Sequence, residues 1–213
     1  ASAPVPASSA SCTPSLFASE NTRWGKEVER LKMCVDTLVG DVLLSSSFVS
    51  YIGAFTAEIR HQLWADVWTP DLLSREIPMT EGIDPLDMLA SQASKAEWKN
   101  EGLPDDRIST ENGAIITSCQ RWPLIIDPQL QGIKWLRRRE EMKSEKDENH
   151  ELVALQLSHK NWIKKVVDAI QNGHAVIIEN LGEHIDAVLD PVLMRTVYKK
   201  GRQLFLRMGG EEV

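Results

Sequence analysis

Arg121-Trp122-Pro123-Leu124-Ile125-Ile126-Asp127-Pro128-Gln129-Leu130-Gln131-Gly132-Ile133-Lys134-Trp135 is the stretch on which the reading of the chain turns. Leu124, Ile125 and Ile126 form an apolar run too short for a helix and stopped by Asp127 and Pro128, which predicts a strand buried on both faces. A phosphate-binding loop would follow such a strand as G-x-x-x-x-G-K-[S/T]. Its glycines let backbone N–H groups approach the phosphates, its lysine neutralises them and its hydroxyl holds magnesium. Across Asp127, Pro128, Gln129, Leu130, Gln131, Gly132, Ile133 and Lys134, only Gly132 keeps its place. Asp127 stands for the first glycine and brings negative charge toward the phosphates, and Pro128 removes a backbone donor. Ile133 takes the lysine position, Lys134 falls one residue late, about 100° further round a helix, and Trp135 follows without a hydroxyl.

The other half of such a site is an apolar strand ending in Asp-Glu, one carboxylate for magnesium and one to polarise the attacking water. Here Ala175 to Ile178 leads into Glu179 and Asn180. A longer carboxylate could reach a metal, but an amide takes no proton, so hydrolysis is not expected. Two core strands with polar ends account for the same residues with no site at all.

Working outward, a helix from Ser109 presents Ile115, Ile116 and Cys119, and a further helix runs through Ile133, Trp135 and Leu136. The charge-dense stretch from Arg137 to Glu151 reads as a solvated loop or frayed helix end. Val153, Leu155 and Leu157 alternate as in a strand, and Trp162 to Ile170 make a helix stripe closed by Gly173. Val176 to Ile178 are a buried strand, Asp190 to Gly201 a capped helix, and Leu204 with Leu206 another strand. A βαβα series of this kind predicts an α/β fold with a mostly parallel sheet, helices on both faces, and ligand positions at the strand ends Asp127 and Glu179.

The first half of the chain differs. Residues 1–18 are rich in Ala, Ser and Pro and are expected to be a flexible leader. Trp24, Val28, Leu31, Val35, Leu38 and Val42 then recur at spacings of 4 and 3, the seam of a two-stranded coiled coil and equally the stripe of an ordinary amphipathic helix. Past Gly40 the polar face disappears, which predicts a helix buried on all sides, so the rod plunges into a globular body. Asp84 and Pro85 open a helix of about four turns that ends at Gly102 and Pro104. The expected organisation is a leader to 18, a coiled-coil-like helix over 19–60, a helical connector over 61–108 and an α/β body over 109–213.

The 213 residues are 42% hydrophobic and 26% charged, enough for a core, which excludes full disorder. A net charge of −7 gives no field for nucleic acid or anionic lipid. Cys12, Cys34 and Cys119 are odd in number and scattered, which gives a disulfide framework no support. No apolar stretch is expected to span a bilayer. The five histidines have no ligand spacing, and Trp24, Trp98, Trp135 and Trp162 read as packing anchors. Glu183 and Asp186 have no partner group to make them an acid and base.

The run Trp98-Lys99-Asn100-Glu101-Gly102-Leu103-Pro104-Asp105-Asp106-Arg107-Ile108-Ser109-Thr110-Glu111-Asn112-Gly113, with Arg121 to Trp135 quoted above, strongly resembles dynein heavy chains, and so do Gly40 to Phe48, Ile178 to Glu183 and Leu189 to Leu193. The wording is most similar to axonemal, outer-arm chains. The resemblance covers about residues 19 to 213. It implies an incomplete AAA+ large subdomain, the fifth module of the motor ring, preceded by the helix that returns from the stalk. In that family the fifth module does not hydrolyse ATP; it relays movement between ring and stalk and offers a surface to the linker.

The resemblance implies as partners the other modules, linker and stalk of the same chain, and, through the parent, microtubules and intermediate and light chains, with no nucleic acid and no membrane. ATP and magnesium belong to the parent's active modules, and no cofactor is expected in this segment. It implies a place in the cytoplasm and cytoskeleton, in the axoneme of a cilium or flagellum, in a minus-end-directed motor. The alternative is a module that binds nucleotide without hydrolysing it. The chain reads as a fragment, inactive by itself and, with its sheet unfinished, prone to aggregate.

Overall fold

The computed structural model describes residues 14–213, with side chains from residue 20 onward except that of Glu211. The leader expected over 1–18 lies outside the described residues as far as residue 13, and Pro14 to Ala18 are already helical. The chain divides into two compact units, one ending at Leu89 and one running from Ala90 to Val213.

The first unit is helical. α1 runs from Pro14 to Tyr51, and a 3-10 turn, Ile52–Ala54, follows it. Its buried stripe is Asp41, Leu44, Ser45, Phe48 and Ile52, the period of one helix face. Burial on all sides past Gly40 does not hold, because Val42, Leu43 and Tyr51 are exposed. Short serines between the apolar residues let the helix lie close on one side without needing cover on the other.

α2 (Ala57–His61), a π segment (Gln62–Trp68) and α3 (Thr69–Ser74) follow end to end. Pro70 has no N–H to donate, and the Thr69 hydroxyl bonds the Trp64 carbonyl at 2.7 Å, so the widened turn is satisfied locally. Buried Arg60 donates to the carbonyls of Phe55 at 2.8 Å and Gly53 at 3.1 Å, closing the turn that precedes it. α4 is only Pro85–Leu89.

The second unit opens with α5 (Gln92–Asn100) and α6 (Arg107–Ser118). The four-turn helix expected from Asp84 is therefore two helices. The Ser91 hydroxyl accepts from the Ser94 amide at 3.0 Å and caps a fresh start. α6 begins two residues before Ser109 because Asp106 caps it, its carboxylate accepting from the Ser109 amide at 2.9 Å and hydroxyl at 2.6 Å. α7 (Gln131–Ser144) extends through Arg137 to Ser144, so of the solvated loop or helix end expected there the helix end forms; salt bridges such as Lys143 to Glu140 support its charged face.

β1 (Leu152–Gln156), α8 (Trp162–Asn172) and β2 (Ala175–Glu179) form one βαβ unit, with β1 and β2 parallel and Leu155 opposite Ile178. Gly173, at φ +72°, ends α8 as the sequence predicts. After a 3-10 turn at Ala187–Leu189 and α9 (Asp190–Leu193), the expected long helix gives way to strand. β3 (Val197–Lys200) and β4 (Gln203–Met208) form an antiparallel hairpin that β5 (Glu211–Glu212) extends. The left-handed Arg195 (φ +52°) breaks the helix, and Gly201 (φ +66°) makes the tight turn.

The fold is thus mixed α/β with a long N-terminal helix and a small parallel sheet, and the single mostly parallel sheet is corrected to one parallel pair plus a hairpin. Leu155, Trp162, Val166, Val167, Leu189, Leu206 and Met208 make the core beneath them.

The strand expected at Leu124–Ile126 does not form. The segment has no regular structure and pairs with no strand, and Leu124 and Ile126 are 73% and 88% exposed. Pro123 and Pro128 flank it with no N–H to give, leaving a short run with few donors for a ladder.

Candidate site at the start of α7

Leu130 adopts a left-handed conformation, φ +57°, immediately before α7 and turns the chain so that Asp127 folds back over the helix N-terminus. Asp127 Oδ1 accepts from the Gln131 amide at 3.1 Å and Oδ2 from the Ile133 amide at 2.9 Å, while its carbonyl accepts from the Leu130 amide at 3.1 Å. The first turn of a helix leaves amides without intrahelical partners, and the helix dipole favours an anion there. Asp127 supplies that anion from the chain itself. A Cβ on Gly132 would lie 3.4 Å from Asp127 Oδ2, so the retained glycine gives the carboxylate its room.

Pro128, Gln129 and Leu130 carry the connecting turn, and Ile133 is half-buried. Lys134 is exposed on α7. Trp135, one residue on, is 1% exposed; its indole N–H donates to Glu101 Oε2 at 2.8 Å and its ring meets Trp98 edge-on at 6.2 Å. Glu101 is itself 6% exposed, so this bond ties α7 to the end of α5 inside the unit.

Glu179, at the carboxyl end of β2, is bound by the Arg137 guanidinium, and Asn180 follows at φ +54°. The structure therefore brings both sequence-predicted segments onto α7: Asp127 at its first turn and Glu179 at its second. The sequence reading missed Arg137, which it placed in a solvated stretch, and Glu101. Arg137 lies three residues after Lys134, on a neighbouring position of one helix face, and that spacing was the available signal.

Among the described residues no group of three or more His, Cys, Asp or Glu side chains could hold a metal ion. An open cleft of about 680 Å³ runs beside α7, lined by Arg137, Glu141, Ser144, Glu145, Leu152 and Ala154, and does not include Asp127 to Lys134. His159 and His174 lie just before and just after α8, and Asp186 accepts from the Val188 amide at 3.0 Å. Trp98, Trp135 and Trp162 are buried anchors, but Trp24 is 60% exposed.

All of the seam residues are exposed: Trp24, Val28, Leu31, Val35, Leu38 and Val42 are 44% to 67% accessible along α1. The stretch Glu20–Ala54 has a window of mean hydropathy 1.3, long and apolar enough by length and composition to cross a membrane, contrary to the sequence expectation. A buried stripe in its second half and an apolar seam along its first account for that hydropathy.

A long N-terminal helix and a small parallel sheet with flanking helices, its candidate site at the first turn of α7, define a mixed α/β protein. Residues 96–213 match the family described as the ATP-binding dynein motor region, and residues 8–72 match the microtubule-binding stalk of the dynein motor. The chain belongs to the dynein heavy-chain family. It is 50% identical over 197 residues to the dynein beta chain of the flagellar outer arm from Chlamydomonas reinhardtii, 48% over 199 residues to the ciliary dynein beta chain of Heliocidaris crassispina, and 45% over 199 residues to human dynein axonemal heavy chain 17. Each match covers 92% of this chain and 4% of the relative, so the chain spans about one twenty-fifth of their length.

Proposed function

We propose that residues 109–213 belong to the fifth AAA+ module of an axonemal dynein heavy chain and act as a non-catalytic structural element. In this reading residues 19–60 are the helix returning from the stalk, and the module relays conformational change between ring, stalk and linker of a minus-end-directed microtubule motor in a cilium or flagellum. Its partners are the neighbouring modules of the same chain and, through the parent, microtubules and the intermediate and light chains. ATP and magnesium act elsewhere in that parent.

The observation that carries the reading is Asp127 itself. Its carboxylate holds the Gln131 and Ile133 amides, the donors a phosphate would need, and Arg137 neutralises the Glu179 carboxylate that a magnesium would need. A triphosphate arriving at α7 would meet a fixed negative charge, one proline in place of a donor, and a lysine turned to solvent. The residues do not fit the group, and the second carboxylate of a hydrolytic site is the amide Asn180.

Titration of the chain with magnesium and a fluorescent ATP analogue tests this. No saturable binding is expected up to millimolar nucleotide. Saturable binding that Lys134→Ala abolishes favours the alternative of a nucleotide-binding, non-hydrolysing module.

A further inference from the structure

The segment Pro78-Met79-Thr80 lies flush against the middle of α1. The Gly40 amide donates to the Pro78 carbonyl at 3.1 Å. Asp41, 5% exposed, takes two bonds from one residue: Oδ1 from the Thr80 amide at 2.8 Å and Oδ2 from the Thr80 hydroxyl at 2.7 Å. The Thr37 and Thr80 hydroxyl oxygens are 2.9 Å apart. The approach is so close that a Cβ on Gly40 would stand 2.4 Å from the Pro78 oxygen and 2.6 Å from Met79 Cβ.

This arrangement discriminates register. Sliding α1 by one turn, about 5.4 Å, would carry Asp36 or Leu44 to the place of Gly40, where even a methyl group has no room. The same slide would put Thr37 or Ser45 where Asp41 now stands, and neither has two separate acceptor oxygens to meet the Thr80 amide and hydroxyl as the carboxylate does. Rotation in place moves Gly40 off the strap with the same result. Toward the N-terminus the helix changes character: the exposed seam runs from Trp24 to Val42, whereas the buried stripe starts at Asp41.

We propose that Pro78–Thr80 is a permanent register pin that fixes the axial position and rotation of α1 at Thr37–Asp41, confining any sliding or bending of the stalk helix to residues N-terminal of Thr37. The proposal rests on reading α1 as the stalk-return helix. A strap that held α1 only in one state of the cycle would have to break its bonds and rebuild them each turnover.

The test uses the parent heavy-chain motor, with its microtubule affinity measured with and without ATP. Thr37→Cys with Thr80→Cys, in a Cys34→Ser background, puts two thiols in place of hydroxyl oxygens that stand 2.9 Å apart. Oxidation is expected to leave the ratio of the two affinities within about twofold of the reduced motor. Asp41→Ala with Thr80→Val is expected to raise amide exchange at residues 79–80 by about tenfold or more and to reduce the affinity ratio by about fivefold.

Thr80→Ser keeps the hydroxyl and is expected to behave as the unaltered protein, which separates loss of the pin from loss of fold. Loss of ATP-dependent switching on oxidation, failure of the pair to oxidise, or full coupling in the Asp41→Ala/Thr80→Val motor would each overturn the pin. Nucleotide found at Asp127–Lys134 would overturn the non-catalytic reading without moving any of these outcomes.

Discussion

The Ile133 amide of α7 donates to Asp127 Oδ2 at 2.9 Å, at a helix N-terminus where the backbone favours an anion. With the Gln131 amide on Oδ1, the Asp127 carboxylate satisfies two amides of the first turn of α7 from outside the helix. Asp127→Ala is expected to destabilise the second unit by about 1 to 2 kcal/mol, as loss of an N-cap does, and Asp127→Asn by a few tenths. Urea denaturation followed by tryptophan fluorescence measures both. Equal losses in the two variants would mean that the side chain acts by charge alone.

Much of the fold was legible because its elements carry local signals. The α8 stripe with its closing Gly173, and the apolar strands β1 and β2, follow from periodicity and one left-handed glycine. Of the hairpin at Val197–Met208, the second strand was legible in Leu204 and Leu206 but the first was not, since Asp190-Pro191 announces a helix start and only the left-handed Arg195 cuts it short. Leu124–Ile126 misled in the other direction, because three apolar residues say nothing about whether a neighbouring strand is there to pair. At the candidate site the residue types at Asp127 to Lys134 were readable, but the bonds they make were not. The carboxylate over the start of α7 depends on the fold-back at Leu130, a non-glycine residue in a glycine conformation, and the Arg137 pair depends on where β2 brings Glu179.

Trp135 and Glu101 form the buried joint between α7 and α5. Glu101→Ala would strand the indole N–H in a site where it is 1% exposed, at a cost of about 1 to 3 kcal/mol. Trp135→Phe is expected to cost at least as much, because it leaves the 6% exposed carboxylate without its donor. Gly113 packs behind this joint, where an added Cβ would stand 3.0 Å from Leu103 Cδ2 and 3.2 Å from Trp98 Cε3. Gly113→Ala should therefore lower the denaturation midpoint by overpacking, worth about 1 to 3 kcal/mol, despite the higher helix propensity of alanine. A midpoint raised by Gly113→Ala would show that Trp98 has room to move.

Acid should loosen this unit at two identified carboxylates. Burial pushes Asp106 up, but the Ser109 hydroxyl and amide outweigh it and hold the carboxyl below its ordinary range. Glu140 is likewise raised by burial and brought below the usual glutamate range by Lys143 and His150. A depressed carboxylate contributes stability that is complete above its unfolded-state value and disappears as pH falls through its folded-state value. Stability is therefore expected to decline below about pH 4, with the declining limb flattened in Asp106→Asn and Glu140→Gln. Denaturation midpoints between neutral pH and acid give the slopes; slopes unchanged in both variants would assign the acid response to other groups.

The seam of α1 settles what kind of helix it is by the cost of making it polar. Val28, Leu31 and Val35 are 47%, 50% and 67% exposed within this chain, so Gln at all three should change its thermal stability by no more than about 0.5 kcal/mol. Phe48→Ala, by contrast, removes a side chain with no exposed surface and should cost about 3 to 5 kcal/mol. An ordinary amphipathic helix would show a large loss at both places, since its stripe would already be covered. A coiled-coil strand awaiting its partner shows the loss only past Gly40. The silent triple variant should then fail to pair with a second helix of matching heptads, which sedimentation against a peptide carrying such a seam would detect.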